Sequence, residues 1–139
     1  MNFKEIHIGK LIKARVTELD ISEDRITNFL KIPLTEVEKM YTQDDISVSF
    51  LLRWSKLLEY DFFRIYCHHL ILYAPPARKT KEESPGPDAL PVFRKYLYSQ
   101  ELISFILEQI KSGEMTKSQV IKEYRIPKST LSKWELKYS

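Results

Sequence analysis

Five apolar positions occur twice in this chain at one spacing. The first set is Ile26, Leu30, Ile32, Val37 and Met40; the second is Val120, Tyr124, Ile126, Leu131 and Trp134, and both step by four, two, five and three residues. Steps of four and three keep side chains on one face of a helix. The central steps of two and five fit neither a helix nor a strand, so each set needs a bend with one apolar turn residue buried between two helices. Both bends also read base-Ile-Pro, as Lys31-Ile32-Pro33 and Arg125-Ile126-Pro127. The chain is thereby constrained to two pairs of helices crossing through short turns, a geometry that can lay the second helix of a pair in a DNA major groove.

The seven prolines divide the sequence. Pro33 and Pro127 sit at the two bends, and the other five fall between Pro75 and Pro91, in APPARKTKEESPGPDALP. That stretch is charged and nearly free of large apolar residues, so it can neither continue a helix nor bury much surface. It is expected to be a semi-rigid linker over 74–91, reaching up to about 55 Å if extended at ~3.1 Å per residue. Two small helical domains should flank it, at 1–73 and 92–139, giving an all-α chain. An apolar content of 43% is enough to fill both cores.

Charge is distributed unevenly. Met1 to Tyr73 holds ten Lys/Arg against eleven Asp/Glu, while Lys117 to Ser139 holds six against two, although the whole chain is only +3. A basic end on an otherwise balanced chain points to nucleic acid at that end.

In the first domain the periodicity predicts five helices: Ile6 to Leu19, one capped by Ser22, Leu34 to Tyr41, one opened by Ser47 or Ser49, and Phe62 to Tyr73. In the second, Tyr98-Ser99-Gln100-Glu101 opens a helix through Leu102, Phe105, Ile106, Gln109 and Ile110 that stops at Gly113. Thr116 then caps the next helix, with Gln119 placed to complete a capping box.

The strings IGKLIKARVTELDISEDRITNFLKIP and VSFLLRWSKLLEYDFF resemble the lambda-repressor/Cro-like helix-turn-helix domain over about Ile8 to Tyr66. The C-terminal stretch from Tyr98 to Tyr138, with IPKSTLSKW as its specific part, is similar to the helix-turn-helix DNA-binding domain of insertion-sequence transposases. The resemblances imply two helix-turn-helix domains and a duplex DNA partner.

The residues themselves separate the two copies. With Leu131 and Trp134 facing inward, Lys128, Ser129, Thr130, Ser132 and Lys133 fall on the outer face or at the helix start. Lysines can reach guanine edges or phosphates, hydroxyls can do either, and the Thr130 methyl can touch a thymine methyl. Lys117, Ser118 and Gln119 open the preceding helix, whose amides suit a phosphate, and Arg125 stands at the bend. The competing reading is an ordinary solvated basic face. The first copy carries Thr35, Glu36 and Lys39 as a second DNA site, but Glu36 and Glu38 would face phosphates and repel them. Association is the better role for that domain. The run from Phe62 to Tyr73 is apolar on nearly every side, and Phe62, Phe63, Tyr66, Leu70 and Tyr73 form the expected association surface of a homodimer through residues 1–73.

Other chemistries find little footing. Cys67, His68 and His69 are adjacent on a helix, about 100° apart, and cannot converge on one metal ion, so no metal and no cofactor is expected. No phosphate-cradling glycine loop, nucleotide fingerprint or catalytic constellation is present, so no enzymatic activity and no small-molecule substrate are expected. The single cysteine, the unremarkable N-terminus and the lack of an eighteen-residue apolar run fit a cytoplasmic chain without a membrane span. The expectation is a DNA-binding protein that reads duplex DNA through its C-terminal helix-turn-helix, as a mobile-element accessory protein or transcriptional regulator. The alternative is a protein-interaction adaptor that uses both helix pairs only as scaffolds.

Overall fold

A computed structural model describes residues 2–75, 87–91 and 98–138. Its described residues form eight α-helices and no strand: α1 (Ile8–Leu19), α2 (Glu23–Leu30), α3 (Leu34–Tyr41), α4 (Val48–Leu58), α5 (Phe63–Tyr73), α6 (Gln100–Lys111), α7 (Lys117–Tyr124) and α8 (Lys128–Tyr138). The all-α expectation is met. Most of the expected linker, residues 76–86, and the first residues of the expected second domain, 92–97, lie outside the described residues. Among the described residues no helix is long and apolar enough to cross a membrane.

Two compact units divide the chain, Asn2–Tyr66 and Cys67–Ser139. The division falls inside α5, earlier than the residue 73 read from the sequence. The second half of α5 has its own partners downstream: His68 is buried, and its Nε2 lies 2.7 Å from the Ser99 hydroxyl.

Within Asn2–Tyr66, α1 packs on α3 and α4, and α2 packs on α3 and α4. The caps explain where the helices start. Ser22 and Ser47 accept from the Arg25 and Phe50 amides at 3.3 and 3.2 Å, and His7 Nδ1 accepts from the Lys10 amide at 3.2 Å, each satisfying a donor that has no partner inside the helix. Two arginines close helix ends from a distance. Arg53 donates to the Phe29 and Leu30 carbonyls at the end of α2, and Arg15 donates to the Leu58 carbonyl at the end of α4. Ile8, Ile12, Ile26, Leu30, Val37, Trp54 and Leu58 fill the core. The Trp54 indole donates to the Met40 sulfur at 3.5 Å and lies 6.0 Å from the Tyr41 ring.

Gly9 is required by contact. Its amide donates to the Gln43 carbonyl at 2.9 Å, and a Cβ at this position would collide with the carbonyl oxygens of Met40, Tyr41 and Gln43. The start of α1 therefore lies directly on the backbone that follows α3.

In Cys67–Ser139, α6 packs on α7 and α8 around Leu102, Ile103, Ile106, Val120, Tyr124, Ile126, Leu131 and Trp134. Ser99 caps α6 and Thr116 caps α7. The capping box is complete, with the Thr116 amide donating to Gln119 Oε1 at 2.9 Å and the Gln119 amide to Thr116 Oγ1 at 3.2 Å. Gly113 takes the left-handed φ of 83° just past α6. Tyr98 meets Trp134 edge-on at 4.9 Å.

The repeated frame proves to be larger than its five positions. A shift of 94 residues carries Ile26 onto Val120 and each of the other four positions onto its mate; the same shift carries the caps Ser22 onto Thr116 and the core pair Ile8 and Ile12 onto Leu102 and Ile106. All four of those last residues are fully buried. The repeated unit is thus three helices, α1–α3 and α6–α8. Its bends are superimposable in backbone angle: Lys31 has φ 56° and ψ 41°, and Arg125 has φ 54° and ψ 39°. Both are left-handed, a conformation that costs a residue with a Cβ about 1 kcal/mol. Replacing the exposed Lys31 by glycine should therefore raise stability by about 0.5–1 kcal/mol, seen as a higher urea midpoint at unchanged slope; a lower midpoint would show that the lysine side chain itself holds the turn.

Candidate nucleic-acid interface

The second helix pair sets α8 apart as an outward-facing element. α7 ends at Tyr124, whose ring is buried and whose hydroxyl donates to Gln109 Oε1 at 2.7 Å. Burial pushes this phenol above its ordinary pKa, against the lowering effect of the Gln109 bond, so it stays a protonated donor. Arg125 turns the chain through its left-handed φ, Ile126 is buried as the turn residue, and Pro127 leads into α8. A proline is suited to this entry because the first helical amides need no intrahelical partner.

Leu131 and Trp134 face inward, as their spacing predicts. At 100° per residue this leaves Ser129, Ser132 and Lys133 on the opposite side, with Lys128 at the helix start; all four are exposed, while Thr130 is half-buried at the flank. Arg125 and Ser118 are also exposed. Two members of the expected set are engaged elsewhere. Lys117 Nζ pairs with Glu135 Oε2 at 2.8 Å, tying the start of α7 to α8; an exposed pair of this kind contributes about 0–1 kcal/mol and leaves the lysine able to exchange partners. Gln119 closes the capping box with its side-chain oxygen and is exposed at the start of α7.

On α3 the corresponding face is chemically different. Thr35, Glu36, Glu38 and Lys39 are exposed there, and the 94-residue shift sets them against Ser129, Thr130, Ser132 and Lys133. Where α3 has two glutamates, α8 has two hydroxyls. The acidity is felt locally: burial, with Glu23 and Glu38 adding to it, raises the pKa of the Tyr41 phenol.

The expected association surface changes more. Phe62 is a core residue, buried and with its ring tilted against Tyr60 at 4.8 Å between centroids; it precedes α5, which begins at Phe63. Phe63 and Tyr66 are half-buried, whereas Leu70 and Tyr73 are exposed. Cys67 is exposed and His68 buried, so these neighbours point apart. Among the described residues, no group of His, Cys, Asp and Glu side chains is placed to hold a metal ion.

One exposed residue of α8 was not singled out from the sequence. Leu136 is 87% exposed and lies seven residues after Ser129, on the same line of the helix. The +7 spacing was readable, but the outer face was followed from the sequence only as far as Lys133.

Compared with family models, curated proteins and solved structures, the chain finds no match.

Proposed function

We propose that this chain is a DNA-binding protein that recognises duplex DNA through the helix-turn-helix formed by α7 and α8, acting as a mobile-element accessory protein or a transcriptional regulator. The observation that carries the reading is the exposed row Lys128, Ser129, Ser132 and Lys133 on a helix set off by the bend at Arg125. Two cations and two hydroxyls on one outward face can position on phosphates and bond to base edges. Binding should weaken steeply with salt, because each neutralised phosphate releases counterions. A gel-shift titration from low to high salt tests this, and affinity that is flat in salt would refute it.

Lys128→Ala and Lys133→Ala should each weaken duplex binding and lower the salt slope by about one. A loss uniform across sequences assigns a phosphate contact. A loss of about 1–3 kcal/mol of discrimination at one position assigns a guanine contact. Affinities equal to the parent's would remove these residues from the interface.

The second reading is a protein-interaction adaptor whose helix pairs are scaffolds, and the acidic outer face of α3 favours it for the N-terminal unit. Thr35, Glu36 and Lys39 are accordingly not proposed as strong DNA contacts. Self-association is proposed through α5, now resting on the exposed Leu70 and Tyr73 rather than on Phe62. A homodimer held by apolar burial should persist at high salt. Sedimentation of the full chain should find a dimer at tens of micromolar and a monomer for Leu70→Glu; a monomeric parent would refute the proposal.

A further inference from the structure

We infer that Leu136 is a sequence-reading residue of α8, packing against the C5-methyl group of a thymine in the major groove. This rests on the DNA-binding reading above and adds to it a base preference. A single exposed leucine is ordinary on a protein surface; what distinguishes this one is its phase and its neighbours. Seven residues separate it from Ser129, four from Ser132 and three from Lys133, so at 100° per residue it lies within about 20°, 40° and 60° of them on the helix circumference. Leu131 and Trp134, which hold α8 to its core, lie on the other side. Leu136 therefore stands near the middle of the outer face, 87% exposed, not at the margin where a side chain could fold back over the core.

The flanks add chemistry. Lys133 and Lys137, both exposed, lie together on one side of Leu136, about 60° and 100° from it around the helix. Ammonium groups on flexible stems can turn to the phosphates of the groove wall on that side, while the short apolar tip meets the base edges. Thymine is the base whose major-groove edge presents a methyl group. Leu136 stands about 12 Å further along the axis of α8 than Lys128, eight steps of about 1.5 Å, on a helix that would lie lengthwise in the groove. The corresponding residue of the first unit, 94 positions earlier, is Thr42, the C-cap of α3; the apolar tip accompanies the basic copy and not the acidic one.

The test uses the full-length chain and a duplex enriched by it from a random pool, synthesised with thymine and, one position at a time, with uracil, which lacks only the methyl group. The parent should lose affinity about fourfold at one position, the worth of one buried methyl. Leu136→Ala should bind the thymine duplex more weakly and show no thymine-to-uracil difference, while keeping the parent's salt slope. Its exposure means that the substitution leaves the fold intact, which circular dichroism checks. Retained thymine preference in Leu136→Ala, alongside weakened binding in Lys133→Ala, would overturn this inference and leave the DNA reading standing. A change of oligomeric state in Leu136→Ala with unchanged DNA affinity would overturn it in favour of a contact between copies. If no duplex is enriched, or if Lys128→Ala and Lys133→Ala bind as the parent does, the DNA reading falls and this inference with it.

Discussion

Trp134→Ala should strip α6, α7 and α8 of amide hydrogen-exchange protection while leaving α1 to α4 protected. The indole is buried beside Leu131 and Tyr124 and meets Tyr98 edge-on at 4.9 Å. Truncating a buried aromatic removes both its transfer free energy and its packing, about 3–5 kcal/mol. A unit built on three short helices and the second half of α5 holds little in reserve against a loss of that size. The described helices fall into two compact units, so the exchange pattern should divide along the chain. Protection that survives in α6–α8 would mean that the site collapses around the missing ring.

Gly9→Ala should have the converse pattern, with α1 to α4 losing protection and α6 to α8 keeping it. The added methyl meets three backbone carbonyl oxygens, those of Met40, Tyr41 and Gln43. Side chains can rotate away from an intruding atom, but these carbonyls are fixed by the end of α3 and by the bond from Gly9 to Gln43. Relief requires α1 and α3 to separate, which also opens the contacts of the fully buried Ile8 and Ile12. Overpacking of this kind costs about 3 kcal/mol. The corresponding position of the second unit is Ile103, itself a core residue, so tightness at this point belongs to the first unit only. A melting curve of Gly9→Ala that overlays the parent's would show that α1 can slide without loss.

Much of this was readable from the residues because it is local. The +4, +2, +5, +3 frame located both bends, since a turn residue tucked between two helices leaves a spacing that neither period explains; Ile126 is buried as expected, whereas Ile32 is half-buried. Ser22, Ser47, Ser99 and Thr116 announce helix starts through the oxygen each offers to an amide three residues on. The features that escaped depend on distance in sequence. The compact unit boundary within α5 is set by the burial of residues such as His68, whose partner Ser99 is 31 positions away. The coverage of Phe62 and the closure of α2 by Arg53 and of α4 by Arg15 are likewise tertiary, and no periodicity encodes them. At the candidate site, exposure of Ser129, Ser132 and Lys133 followed from phase, and that of Lys128 from its place at the helix start.

The chain has two tryptophans, Trp54 in one compact unit and Trp134 in the other. Each unit thus carries its own fluorophore, and the two are in unlike surroundings: the Trp54 indole is fully buried with its N–H on the Met40 sulfur, and Trp134 rests against a tyrosine edge at the rim of its core. Intrinsic emission can therefore be assigned to one unit at a time by exchanging either indole for phenylalanine. A ligand settling on α8 would be seen through Trp134, three residues from Leu131 on the inner side of that helix, while Trp54 reports whether the N-terminal unit responds to the same event.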